Sequence, residues 1–71
     1  MTPIRLTGAQ REALRKMLDA GGIVKINRRT ARAIERADIM LGWNADGTKV
    51  WSGEEDRARF AADTGRVYPR R

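Results

Sequence analysis

Residues 27–41, NRRTARAIERADIML, can form a helix that is useful in only one orientation. At about 3.6 residues per turn, Arg28, Arg32 and Arg36 fall in one row with Arg29 at its edge, within roughly 100° of arc. Thr30, Ala33, Ile34 and Ala37 fill the opposite arc. Such a helix must lie at the surface, small apolar side inward and guanidinium side outward. Asn27 is suited to cap it, its side-chain oxygen accepting from the amides of Arg29 or Thr30. Four like charges on one face add nothing to local stability. Two readings stay open: a solvated face, or a surface for phosphates or an acidic partner.

Other short elements surround this helix. Thr7-Gly8-Ala9-Gln10 is a capping box, with a hydroxyl at the cap and an amide side chain three residues on. The helix it opens should run to Ala20, with Ala13, Leu14, Met17 and Leu18 as its buried stripe and Glu12–Lys16 as an i,i+4 pair. Gly21-Gly22 should end it, one glycine taking the left-handed cap position. Ile23 to Ile26 is a short β-branched run, read as a strand. Ile4-Arg5-Leu6, after Pro3, is a lead-in or a short edge strand.

Residues 39–43 and 48–51 read as strands around Asn44-Ala45-Asp46-Gly47, a turn with Gly47 at positive φ. With Asn44 opposite Thr48, Trp43 would face Lys49 and Leu41 would face Trp51, placing both tryptophans on one side of the hairpin. Ser52-Gly53-Glu54-Glu55 reads as a second capping box. The helix behind it should carry Ala58, Phe60, Ala61 and Ala62, end near Gly65, and dock on the core rather than help form it. Residues 66–71 form a basic tail in which Val67 and Tyr68 are the anchoring candidates. The expected fold class is α+β, one domain over residues 1–71: a core at about 6–51, a C-terminal helix at 52–65 and the tail.

The chain contains no cysteine and no histidine, which removes disulfides and the common zinc sites. Ser52 is assigned to a cap, and Glu54, Glu55 and Asp56 fit the first turn of a helix better than a metal site. No catalytic residue, cofactor or metal is therefore expected. The start, MTPIRLTG, lacks a signal-peptide run and no segment approaches a membrane span, so a cytoplasmic protein is the default. Net charge is +6, and twelve of the fifteen basic residues are Arg, whose planar fork matches phosphate and guanine edges. A small basic domain of this kind leans toward nucleic acid.

The order helix, short strand, helix, hairpin resembles a winged-helix domain. The residues that carry it are LTGAQREAL at 6–14, RRTARAIERA at 28–37, Ile39-Met40 at the entry to the wing and Asp46-Gly47 at its tip. The resemblance covers residues 6–51 and is to small bacterial and phage regulators. It departs from the family in two ways. The helix that ordinarily precedes the recognition helix has no room between Gly21 and Ile26, and Asp38 stands where the family commonly has Gly.

The resemblance implies double-stranded DNA, with the arginine helix in the major groove. Arg28, Arg29 and Arg32 would meet base edges or phosphates, Arg36 a backbone phosphate, and Lys49 an adjacent phosphate from the wing. Arg70 and Arg71 would follow the backbone or a minor groove. About four neutralised phosphates give a log–log salt slope of roughly −3 to −4, which is weak for a monomer and points to a homodimer or a partner. The alternative is a small phage-type inhibitor or adaptor that docks on a host nucleic-acid enzyme, for example a CRISPR effector. Trp43, Trp51 and Tyr68 would be its interface aromatics. As hairpin and tail residues, the same three side chains fit covering the core better than forming an exposed patch. A ribosome- or RNA-associated basic domain is a third class, for which no RNA-specific motif is present.

Overall fold

The computed structural model describes residues 2–70. Among them are three helices and two small antiparallel sheets, an α+β architecture. Helix α1 (Gly8–Ala20) begins as its capping box dictates. Thr7 Oγ1 accepts from the Gln10 amide at 3.2 Å, and Gln10 Oε1 accepts from the Thr7 amide at 2.9 Å. Gly21 ends the helix at φ 64°, a conformation that costs a residue without a Cβ little. Ala13, Leu14 and Met17 are buried and Leu18 is half-buried, the stripe expected from the spacing. Glu12 and Lys16 form no ion pair.

Helix α2 (Arg28–Arg36) is capped by Asn27, whose Oδ1 accepts from Arg29 N at 2.8 Å and Thr30 N at 3.4 Å. Its buried residues are Ala31 and Ile34, followed by Ala37; Thr30 and Ala33 are only half-buried. The helix is therefore rolled from the expected orientation, bringing Ala31 into the core and Ala33 to the rim. The cause is on the arginine side, where Arg32 and Glu35 pack against Trp43 and draw that edge toward the hairpin. At Asp38 the chain leaves α2 with φ 67°, in the left-handed region.

Strand β1 (Ile4–Arg5) precedes α1, and β2 (Val24–Lys25) lies between α1 and α2. After α2 come β3 (Leu41–Trp43) and β4 (Lys49–Ser52), joined by a turn in which Gly47 has φ 72°. The three strands order as β2-β4-β3, all antiparallel. The hairpin register is one residue from the expected one: Leu41 pairs with Ser52, Gly42 with Trp51, and Trp43 with Val50. Asn44 explains the shift. Its side-chain oxygen accepts from the amides of both Thr48 and Lys49 at 2.9 Å, while its own amide donates to Lys49 O. Thr48 thus joins the loop instead of the ladder. A one-residue slip sends side chains to the other face, so Trp43 and Trp51 lie on opposite sides of the sheet.

Helix α3 (Glu55–Thr64) starts later than its apparent capping box suggests. Ser52 is still paired in β4, and its Oγ accepts from Glu54 N at 3.3 Å; Glu54 is the cap residue but makes no side-chain cap bond. Ala58, Ala61 and Ala62 are fully buried against α1, so α3 is part of the core rather than an addition to it. Phe60 is off that face and 49% exposed, contrary to expectation. The tail adds β5 (Arg66–Val67), which pairs with β1 through Ile4–Val67 and Arg5–Arg66. The largest fully buried side chains are Leu14, Ile34, Ile39, Val50 and Val67, each from a different segment.

Candidate nucleic-acid interface

The exposed edge of α2 carries Arg28, Arg29, Arg32 and Arg36, all at the surface. Arg28 reaches back to the hairpin turn, donating from Nη2 to Gly47 O at 3.0 Å. The first turn of α2 and the tip of the β3–β4 hairpin are thereby held together. A Cβ at Gly47 would lie 3.3 Å from the same Nη2, and its φ is positive, so glycine suits this junction twice over.

Arg32 stacks over Trp43, its guanidinium carbon 4.7 Å from the ring centroid, and pairs with Glu35 at 3.1 Å. The other Glu35 oxygen accepts from Trp43 Nε1 at 3.1 Å. Arginine, indole and carboxylate form a closed triangle between helix and hairpin, with both Glu35 oxygens and the indole N–H partnered. Arg29 and Arg36 have no ion pair and no side-chain hydrogen bond among the described residues. The edge is thus graded, with two guanidinium groups braced by the chain itself and two uncompensated.

The hairpin adds Lys49, which pairs across the sheet with Lys25 on β2; both are exposed. Like charges directly opposite each other repel. Lys25 was not among the residues singled out from the sequence, although alternation in Ile23-Val24-Lys25-Ile26 turns it away from Val24 and the core. Arg5 and Arg66 form a second like-charged cross-strand pair on the β1–β5 sheet, also unanticipated.

Arg70 sits elsewhere and is engaged by the chain. Its guanidinium pairs with Glu54 and lies 3.7 Å from Asp38, and its amide donates to Asp38 Oδ2 at 3.1 Å. Arg57 completes this cluster, donating to Asp38 O at 2.9 Å, to the Asp38 carboxylate at 3.2 Å and to Tyr68 O at 2.7 Å. Arg71 lies outside the described residues. The Met40 amide donates to Glu54 at 2.8 Å, and this bond, with Arg70 beside it, holds the Glu54 carboxyl below its ordinary value. Asp46 in the hairpin turn is likewise lowered, first by the Thr48 hydroxyl that donates to it.

The three aromatic candidates are not one patch. Trp43 is half-buried beneath Arg32 on the inner side of the hairpin. Trp51 is 39% exposed on the outer side. Tyr68 is exposed and leans on Phe60, with ring centroids 6.2 Å apart. Among the described residues no group of three or more carboxylates could hold a metal ion, and no helix is long and apolar enough to cross a membrane. Comparisons with protein-family models, curated proteins and solved structures find no match to this chain.

Proposed function

We propose that the protein binds double-stranded DNA as a small winged-helix-like regulator, with the arginine edge of α2 in the major groove and the β3–β4 hairpin beside it. Its role in this reading is binding, not catalysis. The observation that carries the proposal is the uncompensated pair Arg29 and Arg36, standing on a helix whose other two edge arginines are braced in exposed positions. Preorganised guanidinium groups lose less freedom on meeting a phosphate or a guanine edge. Two further features support it. The strand order β2-β4-β3 sets the hairpin next to the strand that leads into α2, and Arg28 fastens the turn to the start of the helix.

The test is a gel shift on random-sequence duplex with the Arg29→Ala/Arg36→Ala variant. Neither side chain has an ion-pair or hydrogen-bond partner among the described residues, so the fold should be retained while the shift disappears at physiological salt. Unchanged binding would overturn the proposal. Two copies on one duplex would make up for the few phosphate contacts of one, and the mass of the complex reports this.

A second reading, a phage-type inhibitor or adaptor on a host nucleic-acid enzyme, draws support from the exposed Phe60–Tyr68 pair. Guanidinium groups suit carboxylates as well as phosphates. A stoichiometric protein partner recovered from nuclease-treated host lysate, and lost with Tyr68→Ala, favours this alternative.

A further inference from the structure

Apart from Lys49, the outer face of the three-stranded sheet takes no part in the interface on α2. The register assigns its occupants. Gly42 pairs with Trp51, and Lys25 with Lys49; Trp43, Val50 and Val24 point the other way, toward the core. Ile23, one residue before β2, falls beside Trp51 by the same register and is 45% exposed. Met40 extends β3 on this face, where Gly53 N donates to its carbonyl at 3.1 Å, and it is 61% exposed.

Trp51 is held in a particular pose. Its indole lies across Gly42, so that a side-chain carbon there would collide with Cε2, Cζ2 and Nε1 of the ring. Only glycine opposite the tryptophan leaves room for it. Trp51 also lines a cleft with Met17, Leu18 and Glu55, and the Glu55 carboxylate is paired with Arg59 at 3.0 Å. The ring is therefore bordered by Ile23 and Met40, with two lysines one row along. Same-face rows on a strand are separated by about 7 Å, comparable with the reach from a nucleotide base to its phosphate.

From this juxtaposition we infer that the outer sheet face binds single-stranded nucleic acid, a base stacking on Trp51 and the adjoining phosphate lying between Lys25 and Lys49. Two features favour this occupant. A partly exposed aromatic ring is sequence-tolerant and holds a planar base by its face. An anion between Lys25 and Lys49 also relieves a repulsion built into the sheet.

The test titrates the full chain with a short oligothymidylate, following tryptophan fluorescence and anisotropy, with duplex binding measured alongside. The unmodified protein should be quenched by the single strand. Trp51→Leu keeps an apolar cover over Gly42 but has no ring face, and should weaken oligothymidylate binding on the order of 5- to 100-fold. Lys25→Glu should separate stability from binding. It puts opposite charges across the strand pair, so the melting temperature should hold or rise while single-strand affinity falls several-fold. Arg29→Ala/Arg36→Ala should leave oligothymidylate binding in place, which keeps this surface distinguishable from the duplex-binding edge of α2. Equal affinity of Trp51→Leu and the unmodified chain, or unchanged affinity in Lys25→Glu, overturns the inference. So does poly-glutamate binding as tightly as the oligothymidylate. If Trp51→Leu does not fold, Lys25→Glu decides alone.

Discussion

Arginines on two regions of the molecule behave in opposite ways. Around the Asp38 bend, Arg57 and Arg70 are taken up by carbonyls and carboxylates of the chain, and on α1, Arg11 and Arg15 donate to the last carbonyls of α3. On α2, Arg29 and Arg36 have no ion pair or side-chain hydrogen bond among the described residues, although Arg36 borders a cleft shared with Glu35 and Asp38, and Arg28 and Arg32 are steadied without losing their exposure. An arginine facing a helix C-terminus or a left-handed bend completes unsatisfied backbone acceptors. One on the exposed edge of a helix, with no free backbone acceptor in reach, stays unbonded. Composition cannot separate these two populations; position along the packed elements can.

The comparison can be broken first at Arg57. Two of its bonds brace Asp38, a non-glycine residue at positive φ, and a third holds the Tyr68 carbonyl, so Arg57→Ala should cost about 2–3 kcal/mol in urea unfolding. Duplex binding by the folded fraction should be unaffected. Arg29→Ala/Arg36→Ala should do the reverse, changing stability by less than about 0.5 kcal/mol. A large stability loss in the α2 variant would remove the distinction between the regions.

Next in size is Arg11→Ala, which frees the carbonyls of Ala62 and Asp63 at the end of α3. A loss of about 1–2 kcal/mol is expected, read as a lower midpoint in urea. Asn27→Ala should follow at about 1 kcal/mol. It sharpens the contrast, because fraying of the first turn of α2 should weaken duplex binding as well, through the positions of Arg28 and Arg29. Circular dichroism and anisotropy on one sample check both effects.

The smallest effect is in acid. Glu54 has a folded pKa below its ordinary value of 4.5, so its stabilising contribution is present above that value and is lost as pH falls through the folded pKa. Glu54→Gln should flatten the acid limb of the stability curve below about pH 4.5 and leave duplex affinity at neutral pH unchanged. Chemical denaturation at several pH values measures it.

Much of this arrangement could be read from the chain because short-range chemistry specified it. Thr7 with Gln10, Asn27, Gly21 and Gly47 mark their caps and turns through contacts spanning five residues or fewer. The failures came where a distant partner or a competing local bond decided. Asn44 captured the amide of Thr48 and moved the hairpin register, which put the tryptophans on opposite faces. Ser52 was retained by the strand, so its apparent capping box did not form. Trp43 and the hairpin rolled α2 until Ala31 replaced Ala33 in the core. Of the site, the exposed arginine edge was legible from spacing alone, while the capture of Arg70 by Asp38 and Glu54, and the pairing of Lys25 with Lys49, depend on tertiary contacts between segments far apart in sequence.

The most direct measurement is the salt dependence of duplex binding for the unmodified protein and for Arg29→Ala and Arg36→Ala separately. If these two unpaired arginines neutralise phosphates, the log–log slope should be roughly −3 to −4 and become shallower by about one in each variant. Slopes that stay at the unmodified value in both would contradict a DNA-binding role for the α2 edge.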